Sequence, residues 1–134
     1  MILVDAGPLV AFVDAGDQHH ARCVAALRGL REPMATVWPA LTEAMYLLAD
    51  LPKAQEALWE MVQRGALQLA PLGEADVPRI RELMRKYSNR PMDLADAALL
   101  CVAEREGLRK IFTVDRRDFS VYRLHGRTRP ILLP

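Results

Sequence analysis

The stretch Ile2-Leu3-Val4-Asp5 is a short apolar run that ends in an aspartate and is followed by the Gly7-Pro8 pair. An apolar run of this length, closed by residues that break helices, is typical of a strand buried on both faces. Near the other end of the chain, Ile111-Phe112-Thr113-Val114-Asp115 has the same pattern. Three further segments are candidate strands: residues 34–38, 67–69 and 131–133. Helical patterns fill the intervals, so the sequence predicts an α/β fold of three α-β-α layers around a central, mainly parallel sheet.

Length and composition fit one globular domain. The chain has 134 residues, of which 51% are hydrophobic, so we expect a single domain over residues 1–134 with a substantial core. Cys23 and Cys101 lie in apolar helical patterns without the spacing of metal ligands, which predicts buried thiols in a reducing compartment.

The sequence shows no targeting or membrane segment. No basic segment precedes the first apolar run, and no run approaches the ~18 residues of a membrane span. We therefore expect neither a signal peptide nor a membrane segment, and the cytoplasm is the default compartment.

Charge is distributed unevenly along the chain. Residues 1–60 hold four basic and eight acidic side chains, a balance of −4, whereas residues 61–134 hold fourteen and nine, a balance of +5. A basic second half suits a polyanionic partner. Solvated helix faces would give the same pattern, so charge alone leaves both interpretations open.

Two aspartates each follow a predicted strand. Because the carboxyl ends of parallel strands meet at one edge of the sheet, where ligands bind in open α/β folds, we expect Asp5 and Asp115 to lie at that edge. The alternative is structural. Asp5 would then cap a helix that begins at Pro8, and Asp115 would cap the turn at 116–119.

Glu43 is the one acid in an otherwise apolar helical segment, residues 38–49. This composition predicts a helix that is buried almost all round, in which a carboxylate is costly unless it is paired or binds a metal. No lysine or arginine lies within a turn of it. The alternative is a capping-box glutamate in the first helical turn.

A second acidic pair, Asp93 and Asp96, begins the helical pattern of residues 93–106. Residues three apart share one helix face. For Asp93 we favour a helix cap, since acids in a first turn also complement the helix dipole. Asp96 lies between alanines in a segment with little else polar, and for it we favour a role in a site.

Crowded carboxylates point to one kind of chemistry. They repel one another and hold protons unless a cation lies among them, and hard oxygen ligands suit Mg²⁺ or Mn²⁺. Because no histidine or cysteine accompanies them, zinc is disfavoured. A metal in such a site activates water and stabilises a leaving oxygen, which indicates phosphoryl chemistry without identifying the substrate.

These segments together resemble the PIN-domain family, in particular the VapC-like toxins of bacterial and archaeal toxin–antitoxin pairs. Ile2–Asp5 resembles the family's first strand and first acid, and Glu43 falls at its helical glutamate. Asp96-Ala97-Ala98-Leu99 resembles the start of the helix that carries the third acid. Phe112–Phe119 matches the family's T-x-D-x-x-D-F segment, with Thr113, the fourth acid Asp115, and Asp118. The resemblance covers nearly the whole chain.

The resemblance implies a metal-dependent endoribonuclease that leaves a 5′-phosphate and a 3′-hydroxyl. It implies that Asp5, Asp96 and Asp115 hold Mg²⁺ or Mn²⁺ and that Glu43 binds the metal or orients the attacking water. Asp93, Thr113 and Asp118 would support the site. It further implies a homodimer and, for the toxin branch, a small antitoxin partner. One departure is that Ala6 replaces the Thr or Ser that often follows the first acid, so one helper hydroxyl is absent.

Substrate contacts and rival functions follow from the same residues. Residues 105–130 carry eight basic side chains, of which Arg116 and Arg117, beside Asp115, are the expected contacts to RNA phosphates. An aspartyl-phosphate phosphatase is disfavoured because Gly7 stands where such enzymes commonly have a second acid. A catalytically silent nucleic-acid-binding domain and a housekeeping nuclease remain as alternatives to a toxin.

Overall fold

The computed structural model describes residues 1–90 and 92–134. Its centre is a five-stranded sheet in the order β3-β2-β1-β4-β5, in which every neighbouring pair is parallel. The strands are β1 (Ile2–Val4), β2 (Met34–Thr36), β3 (Leu67–Leu69), β4 (Lys110–Phe112) and β5 (Ile131–Leu133). Each strand is three residues long, and the central strand β1 is buried throughout. The predicted α/β class and the parallel sheet are confirmed.

Helices cover the sheet. They are α1 (Ala6–Val13), α2 (His20–Gly29), α3 (Trp38–Leu47), α4 (Pro52–Gln63), α5 (Val77–Lys86), α6 (Leu94–Glu106) and α7 (Arg116–Phe119), with a 3₁₀ turn at Glu74–Asp76. Helix α1 packs against α2, α3 and α4, and helix α6 packs against α3 and α5. Helix α6 is buried from Ala95 to Glu104 because it carries almost no polar side chain along that length. The parallel strands are thereby flanked by helices, as their apolar sequences require.

The core is aliphatic with a small aromatic centre. Phe112 of β4 meets Phe12 of α1 edge to face, with ring centroids 5.3 Å apart. Tyr122 lies between Tyr87 and Phe119 in the same geometry, at 5.0 and 5.2 Å. Cys23 and Cys101 are buried free thiols, as predicted. None of the helices in the described part of the chain has the length and apolarity needed to cross a membrane.

Helix α1 begins earlier than the sequence suggests. We expected a start near Pro8, but the helix begins at Ala6, directly after β1. The reason is that the Asp5 side chain accepts a hydrogen bond from the Ala6 backbone N–H and caps the helix there. The turn from strand to helix therefore contains no loop residue other than Asp5, which fixes its carboxylate at the edge of the sheet.

Candidate active site

A cavity lies at the carboxyl edge of β1 and β4. These two strands are parallel neighbours, with Val4 opposite Phe112, so the residues that follow them emerge side by side. The cavity has a volume of about 210 Å³. Six carboxylate side chains line it: Asp5, Glu43, Asp93, Asp96, Asp115 and Asp118. The other lining residues are Ala6, Gly7, Leu47 and Val114, so the described lining contains no basic side chain.

Asp5 is buried and held from two sides. The Ala6 N–H donates to its Oδ1 at 2.8 Å, and the Thr113 hydroxyl donates to its Oδ2 at 2.9 Å. Burial raises the pKa of Asp5 to about 6, although both hydrogen bonds oppose the rise. The capping interpretation is thus correct for Asp5, and the same carboxylate still lines the cavity.

Thr113 connects Asp5 to the next acidic residues. Its hydroxyl oxygen accepts a hydrogen bond from the Asp115 backbone N–H at 3.0 Å while donating to Asp5. Asp115 in turn caps α7 by accepting from the Asp118 N–H at 3.3 Å. Burial, together with the neighbouring Asp115, raises the pKa of Asp118. One buried hydroxyl therefore sets the positions of two of the predicted acids relative to each other.

Asp96 is the acid most strongly affected by its surroundings. Burial, followed by the charges of Asp93 and Asp5, raises its pKa to about 8. Its backbone N–H donates to Asp93 Oδ1 at 2.8 Å, so Asp93 caps α6 as we favoured. The Tyr122 hydroxyl donates to Asp96 Oδ2 at 2.9 Å.

Tyr122 is the site-adjacent residue that sequence reasoning missed. It is a tyrosine with no solvent exposure, and burial with the Asp96 carboxylate beside it raises its pKa. A tyrosine three residues after Phe119 is a weak signal, because the sequence does not say which carboxylate the hydroxyl reaches.

The environment of Glu43 corrects one expectation. Helix α3 is not buried almost all round: Trp38, Tyr46 and Leu47 are 53%, 79% and 58% exposed, and Glu43 is exposed too. One apolar face of the helix has no covering element in the described chain, so apolar composition did not mean burial.

The capping-box alternative for Glu43 is also wrong, because Glu43 lies in the second turn and the N-cap residue Val37 makes no side-chain cap. Partial burial, then the charge of Asp93, raises the pKa of Glu43.

The carboxylates of the cavity are too far apart to bind one metal ion together in this arrangement. Within residues 1–90 and 92–134, no three His, Cys, Asp or Glu side chains are close enough to hold a metal ion as they stand. Asp5, Asp96 and Asp115 each accept a hydrogen bond from a protein donor in this arrangement.

Of the predicted phosphate contacts, Arg116 and Arg117 are exposed on α7, next to the cavity-lining Asp115. The Arg116 guanidinium also donates to the Pro134 carbonyl oxygen at 2.8 Å. Two other basic side chains of the second half are engaged elsewhere. Arg105 pairs with Asp76, and Lys110 pairs with Glu32.

The chain is similar to known proteins over nearly its whole length. It is 29% identical to the ribonuclease VapC26 of Mycobacterium tuberculosis, in an alignment that covers 99% of this chain and 100% of the relative. Among solved structures, the fold resembles VapC20 of Mycobacterium tuberculosis, described as a sarcin–ricin-loop-cleaving toxin. That match has a TM-score of 0.78 and 18% identity, and it covers 87% of this chain and 91% of the other.

A toxin–antitoxin complex from Klebsiella pneumoniae matches with a TM-score of 0.69 and 18% identity, over 99% of this chain and 100% of the other. The model of the PIN domain family matches residues 2–124. This match includes all six cavity-lining carboxylates and most of the parallel sheet that positions them. The chain therefore belongs to the PIN-domain family.

Proposed function

We propose that this chain is a Mg²⁺- or Mn²⁺-dependent endoribonuclease that leaves 5′-phosphate and 3′-hydroxyl ends, and that it is the toxin of a toxin–antitoxin pair. The observation that carries the proposal is the cavity lined by six carboxylates and no basic group. The full-length similarity to a protein named as a ribonuclease supports RNA as the substrate. The fold of two solved relatives, one a named toxin and one from a toxin–antitoxin complex, agrees with the toxin assignment.

The donor set fits a hard divalent cation. The side chains that could hold the ion are all carboxylates, the oxygen donors that Mg²⁺ and Mn²⁺ prefer. Burial raises the pKa values of Asp5 and Asp96, and neighbouring carboxylates add to the rise: Glu43 and Asp93 for Asp5, and Asp93 and Asp5 for Asp96. A cation among them would offset that repulsion and favour the ionised forms. Small side-chain rotations would then bring the ligands together.

Each residue has a separate role in this hypothesis. Asp5, Asp96 and Asp115 would hold the ion, directly or through water, and Glu43 would hold it or orient the attacking water. Asp93 and Asp118 would lie around this set, and Thr113 would keep Asp5 in place. When bound, such an ion lowers the pKa of a bound water and stabilises the leaving oxygen of an in-line displacement.

Arg116 and Arg117 would bind backbone phosphates of the RNA. Such contacts fix the position of the RNA without reading its sequence.

We also propose that two copies of the chain pair through an uncovered apolar surface. Trp38, Tyr46 and Leu94 line a groove of about 620 Å³ beside the acidic cavity. An adjoining groove shares Leu94 and adds Val77 and Met84. Exposed apolar surface of this kind is typical of protein interfaces. Light scattering after gel filtration should give twice the monomer mass of 15.1 kDa, and a monomeric mass at micromolar concentration would contradict pairing.

The decisive experiment is cleavage of a mixed RNA panel by the purified protein with Mg²⁺, with Mn²⁺ and with EDTA. Asp5→Asn and Asp96→Asn are the test variants. Glu74→Gln, an exposed acid in the 3₁₀ turn, is the control for loss of a charge. We expect metal-dependent cuts by the wild type and the control, and none by the test variants. Cleavage by Asp5→Asn at the wild-type rate would contradict the assignment.

The antitoxin is tested separately. Coexpression with the product of an adjacent small open reading frame should yield a stable complex in which cleavage is suppressed. Undiminished cleavage by the copurified complex would argue against a toxin–antitoxin pair while leaving the nuclease assignment intact.

A further inference from the structure

The strongest unassigned feature of the site is the buried hydroxyl of Tyr122. It lies outside the cavity lining but contacts Asp96 directly, with its oxygen 2.9 Å from Asp96 Oδ2. Tyr122 has no exposed surface, so no water competes for this carboxylate oxygen from that side. The hydroxyl is therefore a fixed donor to one oxygen of a cavity-lining acid.

The position of the Tyr122 ring is set by packing. Phe119 and Tyr87 contact the ring edge to face from two sides, at centroid distances of 5.2 and 5.0 Å. Phe119 is itself fully buried at the end of α7. Such a ring has little freedom to rotate out of its place, since protein interiors are close-packed. The aromatic cluster thus holds the ring in the place from which its hydroxyl reaches Asp96.

We propose that Tyr122 is a positioning residue that holds Asp96 Oδ2, so that the carboxylate presents its other oxygen, Oδ1, to the divalent cation. The inference rests on the function proposed above. The Asp96 main chain is fixed at the same time, because its N–H donates to Asp93. Asp96 is then constrained at both its backbone and its side chain. Hydrogen-bonded partners behind metal ligands orient those ligands, and their loss typically weakens metal affinity ~10- to 100-fold.

Thr113 makes a similar contact with Asp5, with its hydroxyl 2.9 Å from Asp5 Oδ2. The two donors come from different segments, one from the end of β4 and the other from the chain after α7. Two of the three proposed metal ligands are therefore each fixed by a buried side-chain hydroxyl. This arrangement makes the segment after α7 part of the site, although none of its residues lines the cavity.

The test compares two tyrosine-to-phenylalanine variants in the same aromatic cluster. Tyr122→Phe removes the hydroxyl at Asp96. Tyr87→Phe is the matched control, because its hydroxyl accepts from the Arg123 backbone N–H at 3.0 Å and contacts no acid of the cavity in the described structure. Both variants keep the ring packing, and each leaves one hydrogen-bonding group without its partner. Calorimetric titration with Mn²⁺, without RNA, is the primary readout, and thermal unfolding in EDTA monitors the fold.

We expect Tyr122→Phe to weaken Mn²⁺ binding about 10- to 100-fold while Tyr87→Phe stays within about twofold of the wild type. In cleavage assays, Tyr122→Phe should need more Mg²⁺ but regain much of its rate at saturating metal.

The outcomes separate the two proposals. Wild-type Mn²⁺ affinity in Tyr122→Phe, with binding lost in Asp96→Asn, would overturn the role of Tyr122 alone. Equal losses in Tyr122→Phe and Tyr87→Phe would also overturn it, because a general packing effect would then explain both. If the wild type binds no Mn²⁺, the metal assignment fails and the role of Tyr122 fails with it.

Discussion

At the scale of single residues, the site stores unfavourable electrostatic energy. Asp5 and Asp96 have pKa values of about 6 and about 8, raised by burial, whereas a carboxyl in an unfolded chain titrates near pH ~3.9. The folded chain therefore binds protons more tightly than the unfolded chain. The folded state loses stability as the pH rises from the unfolded value towards the folded ones, and this loss is complete above both folded pKa values.

This electrostatic cost gives a pH-dependent prediction for the metal-free protein. We expect Asp96→Asn to raise the free energy of unfolding above pH ~8 by about 1–3 kcal/mol and to have little effect at pH ~4. The physical reason is that asparagine carries no charge to bury, yet still accepts from the Tyr122 hydroxyl. Urea unfolding in EDTA across this pH range is the measurement. A difference between variant and wild type that does not change with pH would contradict the prediction.

A divalent cation should reverse the order of stability. With Mn²⁺ in excess, the wild type should become more stable than Asp96→Asn, because a ligand that binds only the folded state stabilises it. Glu74→Gln serves as the control, since this exposed acid should show neither the pH effect nor the metal effect.

The Thr113 hydroxyl allows a second test at the same scale. Thr113→Val removes the donor to Asp5 and the acceptor for the Asp115 N–H in one step, in a fully buried position. We expect a loss of about 1–3 kcal/mol in stability and of about 10- to 100-fold in cleavage. Thr113→Ser keeps the hydroxyl and should retain most of the activity. If valine and serine variants cleave RNA equally well, the hydroxyl has no role.

At the scale of elements, the close approach of α1 to the end of β4 brings the acids together. A Cβ atom on Gly7, in the first turn of α1, would lie 2.6 Å from Val114 Cγ2. Glycine at this position therefore lets the start of α1 pack directly against the residue that precedes Asp115. The Asp5 and Asp115 carboxylates share a cavity partly for this reason.

This packing predicts the effect of Gly7→Ala. We expect a loss of about 1–3 kcal/mol in the free energy of unfolding, because the methyl group must push α1 and Val114 apart. The double variant Gly7→Ala/Val114→Ala should recover part of that loss by making room. Gly29→Ala is the control, since nothing lies within 4 Å of its added Cβ in α2. Equal stability of Gly7→Ala and Gly29→Ala in urea unfolding would show that the contact between residue 7 and Val114 does not limit the stability of the fold.

The arrangement of the elements also explains which features of the fold and the site could be predicted from the sequence. The β1 and β4 patterns predicted both strands, and parallel pairing then required Asp5 and Asp115 to emerge at one edge. Local chemistry also predicted the Asp93 cap. The exposure of α3 and the contact of Tyr122 with Asp96 were not predictable in this way. Both depend on which elements pack together, and hydrophobic composition fixes neither the covered face of a helix nor the partner of a buried hydroxyl.

At the scale of the whole molecule, the proposed nuclease activity needs the acidic cavity and the basic second half of the chain to act on the same RNA. The cavity alone would repel RNA, because six carboxylates line it. Arg116 and Arg117 are exposed on α7, which begins directly after the cavity-lining Asp115, and we expect them to contact phosphates of the bound RNA. Phosphate contacts of this kind release counterions, so affinity should fall as salt rises.

Arg117 gives the sharper test of this arrangement, because Arg116 is also held by the Pro134 carbonyl. In the Asp5→Asn background, which should leave RNA uncut, we expect Arg117→Gln to weaken single-stranded RNA binding about 2- to 10-fold. The slope of log affinity against log salt should become shallower by about 0.7, because the variant neutralises one RNA phosphate fewer than the wild type. Fluorescence anisotropy at several salt concentrations measures both quantities.

Arg64→Gln is the matched control for the loss of one positive charge. Arg64 is 75% exposed at the end of α4, where it pairs with Glu60, outside the residues that line the acidic cavity. If only net charge mattered, both variants would lose affinity equally, and the salt slope would not distinguish them. A larger loss and a shallower slope in Arg117→Gln alone would place an RNA phosphate beside α7, within reach of the carboxylates that we propose hold the metal.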